Sequence, residues 1–258
     1  RIMAIQVGIN GFGRIGRSVF RIISNREDME VVAINDLFDN EQLAYLLKYD
    51  TVMGIFKKEV TAEKDAMTVD NHRVVMTEQR DPAQIPWKEL GVRFVIESTG
   101  VFRNREPLEK HLAAGAEKVI LTVPAKEEID ATIVIGVNDH ELKPEDRIVS
   151  NASCTTTCLA HMVKPLINAF GSKKIMSASM ATVHAATGSQ EVLDRLPKAG
   201  KADLRKNRSI MNNIILTTTG AAKALRLVIP EMEEIAFIAE SVRVPTSSGS
   251  LIILVTNL

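Results

Sequence analysis

The sequence has only two cysteines among 258 residues, which excludes a disulfide framework. It has no excess charge either. Lys+Arg 32 against Asp+Glu 32 gives a formal net charge of +0, so no global field draws the chain to nucleic acid or anionic lipid. Long apolar runs are missing. The longest near the end, Leu251–Val255, is far too short for a membrane span. The beginning lacks the basic-then-apolar pattern of a secretory leader, and a cytoplasmic location is expected. Arg1 and Ile2, ahead of Met3, read as additions to a natural start. Internal repeats and low-complexity tracts are absent as well. What remains is an ordinary globular composition, 45% hydrophobic and 25% charged. It is long enough for one large domain or two smaller ones with a sizeable core.

The first half alternates short apolar runs with amphipathic stretches. Ala4–Ile9, Val31–Ile34, Arg93–Ile96, Val119–Val123, Thr132–Val137 and Ile148–Val149 read as buried strands. Ile15, Val19, Phe20, Ile22 and Ile23 fall on one face at helical spacing. Asn40–Tyr49 and Glu106–Ala114 read as further helices, the second stopped by Gly115. Residues 59–76 read as short strands turning at Asp70-Asn71. This alternation predicts an α/β class with a Rossmann-type, doubly wound, mostly parallel sheet.

The second half differs. Thr155–Phe170 reads as a helix kinked at Pro165, and Lys174–Val183 as a long strand. Residues 185–209 read as a polar, basic loop, Gly220–Leu227 as a helix, and Ile235–Val244 and Leu251–Val255 as strands. An α+β second domain is expected, with no linker before it. The expected division is 1–153 for cofactor binding and 154–258 for catalysis. An apolar strand at the end leaves an edge open to aggregation, so the second domain is expected to be incomplete.

Gly11-Phe12-Gly13-Arg14-Ile15-Gly16 is a G-x-G-x-x-G turn that follows an apolar strand and opens an amphipathic helix. The next strand ends in Asp36, twenty residues after Gly16. A dinucleotide fingerprint requires that context. Gly11 permits the tight turn, Gly13 lets a pyrophosphate approach the backbone, and Gly16 allows close helix–strand packing. The amides of Arg14 and Ile15 sit at the helix N-terminus, where anions are favoured. Asp36 is expected to accept from both ribose hydroxyls, and its charge would repel a 2′-phosphate, which favours NAD over NADP. Ser98-Thr99-Gly100 and Thr122 lie at carboxyl ends of strands. They suit the same cofactor, or they are turn chemistry alone.

Ser150-Asn151-Ala152-Ser153-Cys154-Thr155-Thr156 places a cysteine among small and hydroxyl residues at a helix start. A helix N-terminus favours a thiolate, so Cys154 is a candidate covalent nucleophile; the alternative is a packed core cysteine. Cys158 reads as packing, because its spacing is not the C-x-x-C of a zinc or redox pair, and no metal site is expected. His72, His111 and His140 sit among polar residues and read as surface groups, while His161 lies two turns into the cysteine's own helix. His184 ends a strand where the chain enters the polar loop. It is the candidate general base and acid, or else a structural histidine. Thr187, Arg205, Thr217–Thr219, Gly220 and Arg243 supply hydroxyls, backbone donors and cations beyond it. Thr219-Gly220 opens a helix, again an anion-binding position. Arg243 is a charge inside an apolar strand and reads as a cation aimed at a bound anion, whereas Lys198–Arg208 reads as a solvated run.

These residues match a family pattern. Gly8-Ile9-Asn10 through Arg17, Asn35-Asp36-Leu37, Lys48-Tyr49-Asp50-Thr51, Arg80-Asp81-Pro82, Glu97-Ser98-Thr99-Gly100, Ser150 to Thr156, Thr182-Val183-His184, Thr217 to Ala224 and Arg243-Val244-Pro245-Thr246 resemble phosphorylating glyceraldehyde-3-phosphate dehydrogenase. The order and spacing agree from Met3 to the end, and Ser150 to Thr156 is the most specific stretch. The resemblance implies a two-domain enzyme, a homotetramer, that uses NAD, glyceraldehyde 3-phosphate and inorganic phosphate. In it Cys154 would form a hemithioacetal and then a thioester, with His184 handling the hydroxyl proton. The Cys154 amide and protonated His184 would stabilise the oxyanion. Thr187 and Arg243 would hold the substrate phosphate, and Ser153, Thr155, Thr219, Gly220 and Arg205 the inorganic phosphate. Arg80, Thr99 and Thr122 would flank the adenine and its linking ribose, with Asp36 on the adenosine ribose. The loop 185–209 resembles one that packs toward a neighbouring subunit's cofactor.

The chain departs from the pattern at Thr157, Ala186, Ser209 to Asn212 and Leu216, and by two extra residues between Leu196 and Asp203. The family's last part, with the Asn that orients the nicotinamide carboxamide, has no counterpart among these motifs. Erythrose-4-phosphate dehydrogenase shares the cysteine–histidine machinery, but Arg80-Asp81-Pro82 and Ser98-Thr99-Gly100 fit the triose enzyme better. An inactive dinucleotide-binding scaffold is the alternative from a different class.

Overall fold

The computed structural model describes residues 4–196 and 203–258. Arg1 and Ile2, part of the basic run Lys198–Arg208 and the place of the expected two-residue insertion lie outside the described residues. The chain divides into two compact units. One holds Arg1–Ile133 and Glu141–Ala152, the other Val134–His140 and Ser153–Leu258.

The first unit runs β1 (Ile5–Asn10), α1 (Arg14–Ile23), β2 (Met29–Asn35), α2 (Asn40–Lys48), β3 (Val60–Ala62), β4 (Ala66–Val69), β5 (His72–Thr77), β6 (Phe94–Glu97), α3 (Arg105–Ala113), β7 (Lys118–Leu121), β8 (Ala131–Thr132) and β9 (Ile148–Ser150). Its nine strands lie in the order β3-β4-β5-β2-β1-β6-β7-β9-β8. They are parallel from β5 to β8, while β4 is antiparallel to both of its neighbours, β3 and β5. This is the doubly wound sheet that the strand–helix alternation predicts. Val7, Ile9, Phe12, Phe20, Ile23, Val31, Leu43 and Leu47 form one core cluster. Ala33, Ile85, Trp87, Val92, Val95 and Ala116 form another. Each large apolar side chain so buried contributes roughly 1.5–3 kcal/mol.

Two details depart from the sequence expectation. The inward stripe of α1 is Gly16, Phe20 and Ile23, while Ile15 and Ile22 are 51% and 61% exposed. A helix advancing 100° per residue cannot turn all five apolar residues inward, and the close packing at Gly16 decides the rotation. The strand expected over Thr132–Val137 stops at Thr132. Beyond it the Val134 N–H bonds to Asn138 Oδ1 at 2.8 Å and Gly136 takes a φ of 81°, so the chain turns instead of extending.

The second unit contains α4 (Cys154–Phe170), β10 (Ser177–Ala185), β11 (Ile215–Thr217), α5 (Ala221–Val228), β12 (Ala236–Val244) and β13 (Ser250–Asn257). Its mixed sheet has the order β11-β12-β10-β13, with β10 and β12 parallel. Period-two alternation sorts β10. Ala178, Met180, Thr182 and His184 are buried, while Ser179 and Ala181 face out. The strand starts later than expected and continues past His184 to Ala185. α4 continues through Pro165 and does not end there. The missing Pro165 N–H forfeits one bond, but the buried face Leu159, Ala160, Val163 and Ile167 holds the helix in place. No described helix is long and apolar enough to cross a membrane.

Candidate active site

The turn from β9 into α4 presents the cysteine. Ala152, fully buried, adopts a φ of 53°, a left-handed conformation that a non-glycine residue rarely takes. Its N–H is anchored on Ser150 Oγ at 3.1 Å. Ser153 is the N-cap of α4, its Oγ accepting from the Thr156 N–H at 3.1 Å. Cys154 follows as the first residue of the helix, with its thiol exposed. The positive helix end therefore lies beside the sulfur.

His184 comes to the same place from β10. Its Nε2 is 3.2 Å from Cys154 Sγ. Across the parallel ladder His184 pairs with Arg243 of β12, and Arg243 Nη1 lies 2.6 Å from His184 Nδ1. A guanidinium only donates, so Nδ1 is the acceptor in the Arg243 contact. Nδ1 is also 2.8 Å from the Ala185 carbonyl, which accepts from Arg243 Nη1 at 3.1 Å. Nδ1 would have to donate in that second contact, so the two are alternatives: with the ring proton on Nδ1 and given to Ala185, Nε2 is left to take a proton on the side of the sulfur. Burial pushes the Arg243 guanidinium below its ordinary range, and the neighbouring Cys154 pulls it back up. Arg243 Nε is buried without a partner.

The remaining residues expected at the second unit's site are distributed less evenly. Thr155 Oγ1 is 4.0 Å from the sulfur. Thr187 leans on Gln190, whose Oε1 accepts from the Thr187 N–H at 2.9 Å. Gln190 Nε2 is buried with no acceptor, a donor beside Thr187 that the sequence did not signal. Thr219 Oγ1 accepts from the Ala221 N–H at 3.2 Å, and Gly220 caps α5 with no side-chain bond. Arg205 is not brought in. Asp203 holds its guanidinium through two bonds of 2.8 Å. Cys158 is exposed and not packed, because its position on α4 falls off the buried stripe. His161 is likewise exposed, with Nδ1 2.8 Å from the Thr157 carbonyl.

The glycine turn of the first unit fits a dinucleotide. Gly11 has a φ of 90°, and a Cβ there would lie 2.6 Å from the Thr99 backbone nitrogen. A Cβ at Gly16 would lie 2.2 Å from the Gly11 carbonyl oxygen, while one at Gly13 would meet no protein atom. The turn is thus tight on the protein side and open on the other. α1 begins with no side-chain cap and no acidic residue in its first turn, so its positive end is left to an anion. Asp36 accepts from the Phe12 N–H at 2.6 Å and the Phe38 N–H at 3.1 Å. Ser98 Oγ donates to the Gly11 carbonyl at 2.6 Å, Thr122 Oγ1 to the Glu97 carbonyl at 3.1 Å, and Thr99 Oγ1 to the Glu97 carboxylate. These three hydroxyl protons are engaged within the protein. Arg80 is exposed. His111, expected at the surface, is fully buried between Trp87 and Glu97. Its helix turns it inward, and a polar sequence neighbourhood does not reveal that.

Comparison with known proteins agrees with both halves. The NAD binding domain of glyceraldehyde 3-phosphate dehydrogenase matches residues 5–105, and the C-terminal domain of the same enzyme matches 153–258. A glyceraldehyde-3-phosphate dehydrogenase of Streptomyces coelicolor is 50% identical over 251 residues, 96% of this chain and 72% of that protein. One of Geobacillus stearothermophilus is 48% identical over 257 residues, 99% of this chain and 74% of that protein. One of Thermotoga maritima is 55% identical over 225 residues, 86% and 65% respectively. With a dinucleotide turn in one unit, a thiol–imidazole pair in the other, and relatives spanning both, the chain belongs to the glyceraldehyde-3-phosphate dehydrogenase family.

Proposed function

We propose that the protein oxidises glyceraldehyde 3-phosphate to 1,3-bisphosphoglycerate, using NAD and inorganic phosphate, as a step of glycolysis and gluconeogenesis. The observation that carries this is the 3.2 Å contact of Cys154 Sγ with His184 Nε2. The thiolate attacks the aldehyde carbon, and the carbonyl electrons move to oxygen. The Cys154 amide and the imidazolium stabilise that oxyanion, giving a hemithioacetal. His184 Nε2 then holds the hydroxyl proton while the carbon is oxidised to a thioester. NAD, when bound, supplies the hydride acceptor. An oxygen of inorganic phosphate attacks the thioester carbon, the C–S bond breaks, and the thiolate returns. For Nε2 to release and retake that proton, Nδ1 keeps its own proton on the Ala185 carbonyl.

In this reading Thr187 and Arg243 bind the substrate phosphate, supported by the unpartnered Arg243 Nε. Ser153, Thr155, Thr219 and Gly220 bind inorganic phosphate, joined by Arg205 once it leaves Asp203. Gly11, Gly13, Arg14 and Ile15 hold the pyrophosphate and Asp36 the adenosine ribose, with Arg80, Ser98, Thr99 and Thr122 around the adenine side. Residues 1–153 and 154–258 are assigned to the cofactor and catalytic domains. A homotetramer is the proposed assembly. Ile238, Val255, Ile253 and Leu251 form an exposed apolar row on one face of the second sheet, which a further copy would cover. Two free thiols suit a reducing compartment, and the cytoplasm is the proposed location.

The test is Cys154→Ser. Turnover of glyceraldehyde 3-phosphate with phosphate should vanish while NAD binding stays. Retained dehydrogenase activity would sink the assignment.

A further inference from the structure

We propose that Glu97 is a positioning residue of the dinucleotide site, a shared acceptor that ties three segments around the bound cofactor. The proposal rests on the Gly11–Gly16 turn being the NAD turn. Glu97 ends β6 and is fully buried. Its Oε1 accepts from the Thr99 N–H at 2.9 Å and from the Thr99 hydroxyl. Its Oε2 accepts from Asn10 Nδ2 at 2.5 Å and from His111 Nε2 at 3.0 Å.

The direction of the bonds from Asn10 and His111 is forced. At one end the Gln79 N–H, which can only donate, bonds to Asn35 Oδ1 at 2.8 Å. Asn35 Nδ2 must then be the donor to Asn10 Oδ1, at 2.8 Å, which leaves Asn10 Nδ2 to donate to Glu97. At the other end the Trp87 indole N–H, again only a donor, bonds to His111 Nδ1 at 2.9 Å. His111 is therefore the neutral tautomer with its proton on Nε2, aimed at Glu97. Two donor chains of fixed polarity converge on one carboxylate. Glu97 accepts from Asn10, His111 and the Thr99 N–H, and the Thr99 hydroxyl completes the set.

A buried carboxyl group is a poor way to fill space, because desolvation works against it. What it does is fix positions. Asn10 immediately precedes Gly11. Thr99 packs on Gly11, its backbone nitrogen 2.6 Å from where a Gly11 Cβ would stand. Gln79 immediately precedes Arg80, and both its backbone groups are held by Asn35. Each tied residue belongs to or adjoins the proposed cofactor residues. The row is geometric as well, since Asn35, Asn10 and Glu97 are register partners across β2, β1 and β6.

Glu97→Gln replaces one acceptor with a donor and leaves no good orientation. At the Oε1 position the new NH2 faces the Thr99 backbone N–H. At the Oε2 position it faces the His111 Nε2–H, whose tautomer Trp87 fixes. NAD is titrated calorimetrically onto the full chain of wild type, Glu97→Gln, Thr99→Val and Thr99→Ser. Thermal unfolding followed by the fluorescence of Trp87, which lies in the same unit, serves as the check on folding. Glu97→Gln should weaken NAD binding about tenfold or more while the Trp87 signal keeps its folded baseline at the titration temperature. Thr99→Val should weaken binding several-fold, and Thr99→Ser, which keeps the hydroxyl, should restore it. A folded Glu97→Gln that binds NAD like wild type overturns the proposal. If Glu97→Gln fails to fold, equal NAD affinity in Thr99→Val and Thr99→Ser overturns it. Wild type that does not bind NAD at all would instead remove the dinucleotide reading itself.

Discussion

Gly13→Ala separates the two faces of the dinucleotide turn. Gly13 has a φ of −71°, ordinary for any L residue, and an added Cβ meets no protein atom within 4 Å. The methyl therefore causes no strain in the folded protein. Losing glycine's freedom in the unfolded chain stabilises by about 0.4–1 kcal/mol. Alanine is a poorer N-cap than glycine, which offsets that gain by some tenths of a kcal/mol. The net change stays within about 1 kcal/mol, and Tm should move by no more than about 4 °C. Cofactor binding should respond differently. If the pyrophosphate lies against Gly13, the methyl occupies its space, and overpacking by one carbon costs about 1–3 kcal/mol. At 1.4 kcal/mol per decade this is roughly a five- to hundredfold rise in the NAD Kd. Gly16→Ala is the contrasting control. Its Cβ would stand 2.2 Å from the Gly11 carbonyl oxygen, so stability and NAD binding should fall together. The measurements are calorimetric NAD titration and thermal unfolding of the three proteins. Undiminished NAD affinity in Gly13→Ala would refute the placement of the cofactor over the open side of the turn.

Three further outcomes follow from other contacts. His184→Asn should lower kcat by roughly 10²–10⁴-fold with NAD affinity unchanged, and slow iodoacetamide labelling of Cys154 at mildly acidic pH; unaltered labelling would contradict the thiolate–imidazole pair. Asp36→Asn keeps an oxygen for the Phe12 N–H but removes the charge, so NADP should gain on NAD; an unchanged NAD/NADP ratio in titration would mean the ribose is held elsewhere. Asp130 tests a pH dependence. Burial pushes its carboxyl up, but the Ile148 and Arg147 N–H groups and Arg105 outweigh that and hold it below its ordinary range. A depressed folded value means the stabilisation is complete above the ordinary carboxylate range and is lost as pH falls through the folded value. Urea unfolding should show Asp130→Asn up to about 1 kcal/mol less stable at neutral pH, with the gap closing in acid; a gap that persists in acid would count against the ionic account.

Local signals recovered most of the first sheet, because a glycine turn between an apolar strand and an amphipathic helix admits few alternatives. They failed where neighbours in space decide. Ile15 and Ile22 look inward by composition, but the contact of Gly16 with the Gly11 carbonyl rotates α1 and exposes both. Cys154 and His184 were readable one at a time, as a helix start and a strand end. Their pairing depends on how the start of α4 meets the end of β10, just as the β10–β12 register sets Arg243 beside His184, and no spacing in the sequence carries either. The left-handed turn at Ala152 was hidden for another reason. Alanine gives no sign of positive φ, and the adjacent Asn151 would have been the expected residue for it.

The buried acceptor Glu97 shows what a better reading would look for. Beside Ser98 and Thr99 it resembles a polar strand end turned to solvent, and its donor Asn10 lies 87 positions earlier in the chain. Yet three apolar strands each close on a polar residue, Asn10, Asn35 and Glu97. In a parallel sheet whose order is set by the glycine turn, those closing residues must fall side by side, and the register confirms that they do. Three polar side chains in one row at the centre of a covered sheet cannot all reach water, so they must satisfy one another. Two of them are amides that both donate and accept, which lets them relay a hydrogen-bond direction without ending it. Glu97, as an acceptor only, is where such a chain has to stop, and the helix that packs over it must bring a donor of its own. His111 is that donor, and Trp87 is the reason it can be nothing else.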